Sequence, residues 1–365
     1  MRKYYLDNVR WITVAVVVLY HVLYMYNGEG ILGGLGKITT LSIQYYDLFL
    51  YIVYPWIMMV LFMVSGISSR LALNKYTHKE FIKSRTTKLL VPCTVGLLAF
   101  QFIQGYVNTS FGAFSTLQIP LVTRIIVIIL SGVGVLWYIQ LLWIFSMLLI
   151  PIIKLEKDRL WKFTSKLGVP KIGGPVLILM ALPVFAAAQI LNAPVVLVYR
   201  FGLYFFVFLF GYFVLSHDEV IDVLKKWFPL FAIIAIILGI GFCMTYFGQN
   251  YSDTPVYNSV LFVFYGYFAS IAIIGGIAKY YDISNKFTQW MSKRSFGLYV
   301  FHYLGISSVA LFIAKPGYLP APLIYLLSLI AGFGGGYLLN EIISRIPYYR
   351  WAVLGIKNPK KKEKK

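Results

Sequence analysis

Arg10 and His21 stand eleven residues apart in the stretch YYLDNVRWITVAVVVLYH. On a helix, eleven steps turn about 1100°, which leaves the two side chains within about 20° of one stripe and about 16 Å apart along the axis. An ionisable group inside hydrocarbon costs about 3 kcal/mol on insertion scales, so each one asks for a reason. A guanidinium at the membrane boundary suits an anionic ligand, and an imidazole deeper in suits a base acting at that ligand's far end. Desolvation favours the uncharged imidazole, which accepts a proton. Asp7 lies three residues before Arg10, within pairing reach on a helix. The plainer alternative is a snorkelling arginine and a histidine bonded to a neighbouring helix.

A second group of cations follows in FMVSGISSRLALNKYTHKEFIKSRTTKLLVP. Arg85 and Lys88 are three apart and are expected to share a helix face at the membrane surface, where two cations clamp phosphates. Orientation charge is the bland reading. Asp47, in QYYDLFLYI, is placed to orient the second ring nitrogen of His21 or to sit in interfacial water. Arg200, beside Tyr199 and Tyr204, is either a cation near an acceptor or a side chain snorkelling in an aromatic belt. His302 has Tyr299 one turn earlier and joins either the His21 cavity or a helix–helix contact. Glu341 is expected to pair with Arg345. His78 and His217 show no constellation, and Gly332–Gly336 reads as a close-packing surface, since no strand precedes it.

These side chains need a scaffold, and the composition says what kind. The 365 residues are 59% hydrophobic and 13% charged, where a soluble domain carries about 25% charge. Lipid must be the main solvent. Spans are expected at 9–27, 43–66, 89–107, 133–153, 174–191, 196–215, 227–247, 256–278, 296–314 and 321–343, each long enough for a core of about 30 Å. The short run 121–131 is expected to be interfacial or re-entrant. With the N-terminus inside, the cytoplasmic segments hold all of the 33 Lys and Arg except Lys37, Arg124, Arg200 and Lys315, so both termini are expected in the cytoplasm. The fold class is all-α integral membrane, with about ten transmembrane helices.

The formal charge of +20 lies between apolar runs and not in stripes on a soluble face, which argues against nucleic acid. Cys93 and Cys243 have no metal-ligand spacing, and no metal is required. The basic, then apolar, start is read as a retained first helix, because no small-x-small cleavage site follows. One transmembrane domain, 1–344, is expected, followed by a basic tail, 345–365, that anchors on anionic lipid. No internal repeat of the inverted-transporter kind is visible.

The Arg10-to-His21 spacing resembles a signature of the acyltransferase family 3 membrane enzymes. Four further blocks are similar in order: Phe62-Met63-Val64-Ser65-Gly66, Phe81-x3-Arg85-x2-Lys88-x3-Pro92, Leu136-Trp137-Tyr138 and Ser295-x3-Tyr299-x2-His302. The run NEIISRIPYYRWAVLGIK resembles the glucan succinyltransferase branch, the glucans biosynthesis protein C type. Tyr54-Pro55-Trp56 departs from that branch, which tends to carry a His-Ser-Phe-Arg type sequence there.

The resemblance implies transfer of an acyl group, acetyl or succinyl, from cytoplasmic acyl-CoA to a hydroxyl of an extracytoplasmic carbohydrate, in a multi-pass protein of a bacterial inner membrane. His21 and Arg10, with Asp47, are then the expected catalytic residues. Arg10, Arg85 and Lys88 would hold the CoA, and Trp137, Arg200 and His302 would meet substrate. The competing classes are a transporter or flippase for a sugar or glycolipid, and a non-catalytic membrane receptor. Transport would show as vesicle uptake without acyl-CoA.

Overall fold

The computed structural model describes residues 3–31, 33–111, 119–192, 199–253 and 255–357. Among them the chain is a helical bundle. Its helices are α1 (Tyr4–Met25), α2 (Leu48–Leu73) and α3 (His78–Thr109), then α4 (Leu121–Ser131), α5 (Gly134–Glu156) and α6 (Arg159–Thr164). These are followed by α7 (Lys171–Ala188), α8 (Phe201–Phe213), α9 (Asp218–Tyr246), α10 (Val260–Tyr280), α11 (Lys286–Ala314), α12 (Ala321–Arg345) and α13 (Tyr349–Leu354). Nine of the described helices are long and apolar enough to cross a membrane.

Local sequence sets several starts. Thr77 and Glu80 form a reciprocal capping box at α3, and Asn285 and Thr288 form one at α11. Each satisfies backbone N–H groups that a helix start leaves unbonded. Ser259 caps α10 through the Phe262 amide.

The basic segments gather at one end of the bundle. There Lys3 pairs with Asp218, the Tyr5 amide donates to Asp282 at 2.7 Å, and Asn8 donates to the Tyr281 and Ile283 carbonyls. Gly355 packs against Thr87 and Lys88 at the same end. The described chain therefore begins and finishes on one side, which requires an even number of passes.

Two short helices account for the count. The segment expected to span from 196 is helical only from Phe201, and 193–198 lie outside the described residues. The 13 residues of α8 cover about 20 Å. They run from Arg200, beside Tyr54, to Tyr212, which accepts from Arg70 at 3.2 Å. Such a short pass suffices because protein and not lipid surrounds most of it. A Cβ on Gly66 would collide with the Phe208 carbonyl oxygen, and one on Gly211 with that of Met63. α2 and α8 touch backbone to backbone, the small-residue contact that membrane bundles use.

The segment 121–131 turns back along α3. A Cβ on Gly105 would collide with the Ile128 oxygen, and one on Gly132 with the Gln101 oxygen. α4 thus lies antiparallel to the last turns of α3 and leads into α5 without returning to the side it came from. α5 begins at depth, where the Val135 carbonyl accepts from the Tyr299 hydroxyl, and α4 and α5 together make one pass.

The stretch expected as a basic tail starts as a docked helix. Ala352, Val353 and Leu354 of α13 are buried, and Tyr349 donates to the Ala99 carbonyl at 2.9 Å. Apolar residues between the basic ones bury against α3. The lysine run from 358 lies outside the described residues.

Candidate active site

α1 carries Arg10 and His21 to different neighbours. Arg10 reaches α2, where it donates to the Ser68 hydroxyl, and it pairs with Asp7 at 3.1 Å. His21 meets α11: its Nδ1 lies 2.9 Å from the Val17 carbonyl oxygen and 3.1 Å from Nε2 of His302. His302 is fully buried, and its Nδ1 lies 3.1 Å and 2.9 Å from the Leu298 and Tyr299 carbonyl oxygens.

Those carbonyls fix both tautomers. A carbonyl oxygen only accepts, so Nδ1 of His302 carries a proton and a neutral ring leaves Nε2 as an acceptor. Nδ1 of His21 then donates to that nitrogen and to Val17 together. Nε2 of His21 is left with its lone pair, the form a general base needs. Tyr20, Tyr24 and Tyr303 set their rings on edge around His21 at 5.2, 5.7 and 5.2 Å between centroids. Gly336 lets α12 approach, since a Cβ there would lie 3.3 Å from the His302 amide nitrogen.

Asp47 does not orient His21. Its Oδ2 accepts from the Gly28 backbone amide at 3.0 Å and the Gln44 side-chain amide at 2.8 Å. It heads α2 at the end of the bundle opposite the basic segments, and the partner of the imidazole comes from α11 instead. Glu29 shares this end. Burial, with the Asp47 charge added, pushes its carboxyl up to about 7.

Arg85 joins Arg10 in flanking a serine pair, donating to Ser69 at 2.9 Å beside the Arg10–Ser68 bond. Lys88 is exposed, makes no such serine bond, and packs its backbone against Gly355. The segment Thr86–Leu90 is π-helical, so the i,i+3 register of an α-helix fails there.

At the basic end Arg10 lines a cavity of about 970 Å³, where Lys3, Arg70 and Lys75 face the acids Asp7, Asp218 and Glu219, and Trp161 and His217 complete one wall. Arg70 lies 3.8 Å over the Trp161 ring, and the His217 ring stacks on Trp161 at 3.6 Å. Burial holds the His217 imidazole below the usual histidine range; Glu219 opposes the shift and Arg70 adds to it. His21 is not among the residues lining this cavity. Arg70, Trp161 and His217 carry no spacing signal, because they come from α2, α6 and the turn before α9. Asp158, which pairs with Arg70 at 3.4 Å, lies 88 positions further along the chain. Only the fold brings them together.

Among the substrate-contact expectations, Trp137 is half-buried against Tyr204, at 5.7 Å between centroids. Arg200 is buried, with its guanidinium 4.3 Å from the Tyr257 ring centre and its Nη2 donating to Tyr54 at 2.7 Å. Glu341 pairs with Arg345 at 3.6 Å, and more closely with Arg294 at 2.9 Å. Among the described residues no group of three His, Cys, Asp or Glu side chains has the geometry to hold a metal. A larger apolar groove of about 1210 Å³, between α1, α2, α9 and α10, contains none of the site residues.

Among the described residues, nine helices long and apolar enough to cross a membrane, with the shorter α8 packed among them, define a multi-pass, all-α integral membrane protein. A family model described as an acyltransferase domain matches residues 3–341, and the chain belongs to that family, acyltransferase family 3. It is a membrane acyltransferase. No curated protein and no solved structure matches it.

Proposed function

We propose that the protein moves an acyl group, acetyl or succinyl, from acyl-CoA bound at the cytoplasmic end to a hydroxyl of a carbohydrate reached from the other side, in a bacterial inner membrane. The observation that carries this reading is the His21–His302 pair, which leaves Nε2 of His21 unprotonated. The basic cavity supports the donor side. Lys75 offers charge to phosphates, Arg10, Arg70 and Lys3 do so in exchange for Asp7, Asp158 and Asp218, and the half-buried Trp161 ring adds apolar surface beside them. The rise of about 16 Å from Arg10 to His21 is the distance an extended carrier arm has to bridge.

In the proposed reaction Nε2 of His21 takes the proton of the acceptor hydroxyl as its oxygen attacks the thioester carbonyl. The C–S bond breaks, the ester forms, and the leaving thiolate recovers the proton from the imidazolium. Protein reconstituted in vesicles with acyl-CoA should acylate the carbohydrate, and His21→Ala should abolish this. Turnover retained by the inserted variant overturns the assignment of the base. Mass spectrometry of surface carbohydrates from a deletion strain and its parent identifies donor and acceptor together, as a mass difference of one ester group.

A further inference from the structure

Arg200 is 2% exposed, and its surroundings are rings and phenols. The Tyr54, Tyr257 and Phe262 ring centres lie 5.2, 4.3 and 5.2 Å from its guanidinium carbon. The Tyr54 and Tyr204 hydroxyls bond it. Its Nε has no hydrogen-bond partner, and no carboxylate forms an ion pair with it among the described residues. The undescribed stretch beside it, 193–198, reads Ala-Pro-Val-Val-Leu-Val and contains no acid. By contrast Arg10, Arg70, Arg294 and Arg345 all pair with carboxylates.

The rings and phenols leave one donor unmet. Three ring contacts of up to about 2 kcal/mol each and two phenol hydrogen bonds offset much of the several kcal/mol that burying an ion costs, yet the buried Nε–H keeps no partner, a penalty of about 1–3 kcal/mol. An arriving oxyanion would close that gap, and a carboxylate or phosphate has two oxygens to match Nε and one Nη. The position fits a substrate group. The Tyr54 ring stacks on Tyr20 at 6.0 Å, and Tyr20 stands on edge against His21 at 5.2 Å, so the cation and the base flank one pair of tyrosines.

We propose that Arg200 binds an oxyanion, a carboxylate or phosphate, carried into this tyrosine-lined core by one of the two substrates. Which substrate bears the anion rests on the acyl-transfer reading; the existence of the site does not. The far end of a dicarboxylic acyl group and an acidic acceptor sugar offer the same chemistry.

The test is thermal unfolding of the detergent-solubilised protein, with and without saturating coenzyme A to occupy the basic cavity. Succinate, glucuronate and inorganic phosphate are compared with succinamide and glucose. In the wild type the anions should raise the midpoint by a few degrees and the neutral analogues should not. Arg200→Gln should lose the shift, and Arg200→Lys, which keeps the charge without the fork, should show less than half of it. A larger effect of succinate points to the acyl donor, and a larger effect of glucuronate to the acceptor. No anion-specific shift in the wild type, or an equal shift in Arg200→Gln, overturns the proposal. Should Arg200→Gln fail to accumulate, an undiminished shift in Arg200→Lys overturns the bidentate site. Absence of stabilisation by coenzyme A alone counts against the donor reading and leaves the anion result standing.

Discussion

At the residue scale the hydrogen bonds of His302 make it a positioning residue for His21. Replacing it with phenylalanine removes the acceptor for Nδ1 of His21 and should lower kcat by about 100-fold, with KM for the donor little changed. Glutamine, whose carbonyl accepts the same proton, should restore much of the rate. A general packing role would make both variants equally poor, so steady-state kinetics on the pair decides. In the basic cavity, Arg70→Ala and Trp161→Ala should raise KM for acyl-CoA by about 10-fold and spare kcat, the loss of one charged or apolar contact each. A drop in kcat alone would exclude the donor role. Glu29 titrates near 7 because burial and Asp47 favour its protonated form. Between its ordinary range and 7 the folded state holds more protons than the unfolded one, so stability falls as pH rises through that window. Glu29→Gln should flatten this part of the melting-temperature profile relative to the wild type.

At the element scale the bundle depends on helices that meet without side chains between them. Gly66 and Gly211 seat α2 against α8. Gly66→Leu should push α8 away and prevent accumulation of folded protein, read as loss of a monodisperse peak after solubilisation. Gly105→Leu should lift α4 from α3 more locally, because α4 has no buried residue of its own. The sequence makes these elements legible through their apolar runs. It hides the shortness of the α8 helix, since a buried and a lipid-facing apolar run look alike. It hides the π segment at Thr86–Leu90 too, which changes the register between Arg85 and Lys88.

For the whole molecule, both described ends lie on the basic side. Single cysteines at the exposed positions Lys79 and Lys357 should react with a membrane-impermeant thiol reagent from one side of sealed vesicles. One at Gln249 should react only from the other, in a background lacking Cys93 and Cys243. Labelling of all three from one face would break the ten-pass arrangement.

Composition and the placement of charge determined by themselves that this chain lives in a bilayer as helices, because an apolar chain in lipid has to bond its backbone within itself. The Arg10-to-His21 spacing likewise follows from helix geometry alone. What the tertiary structure decided is which side chains meet: His302 and not Asp47 beside His21, and Arg70 and Trp161 beside Arg10. These partners come from helices far apart in the chain, and contacts between helices have no period for a sequence to display.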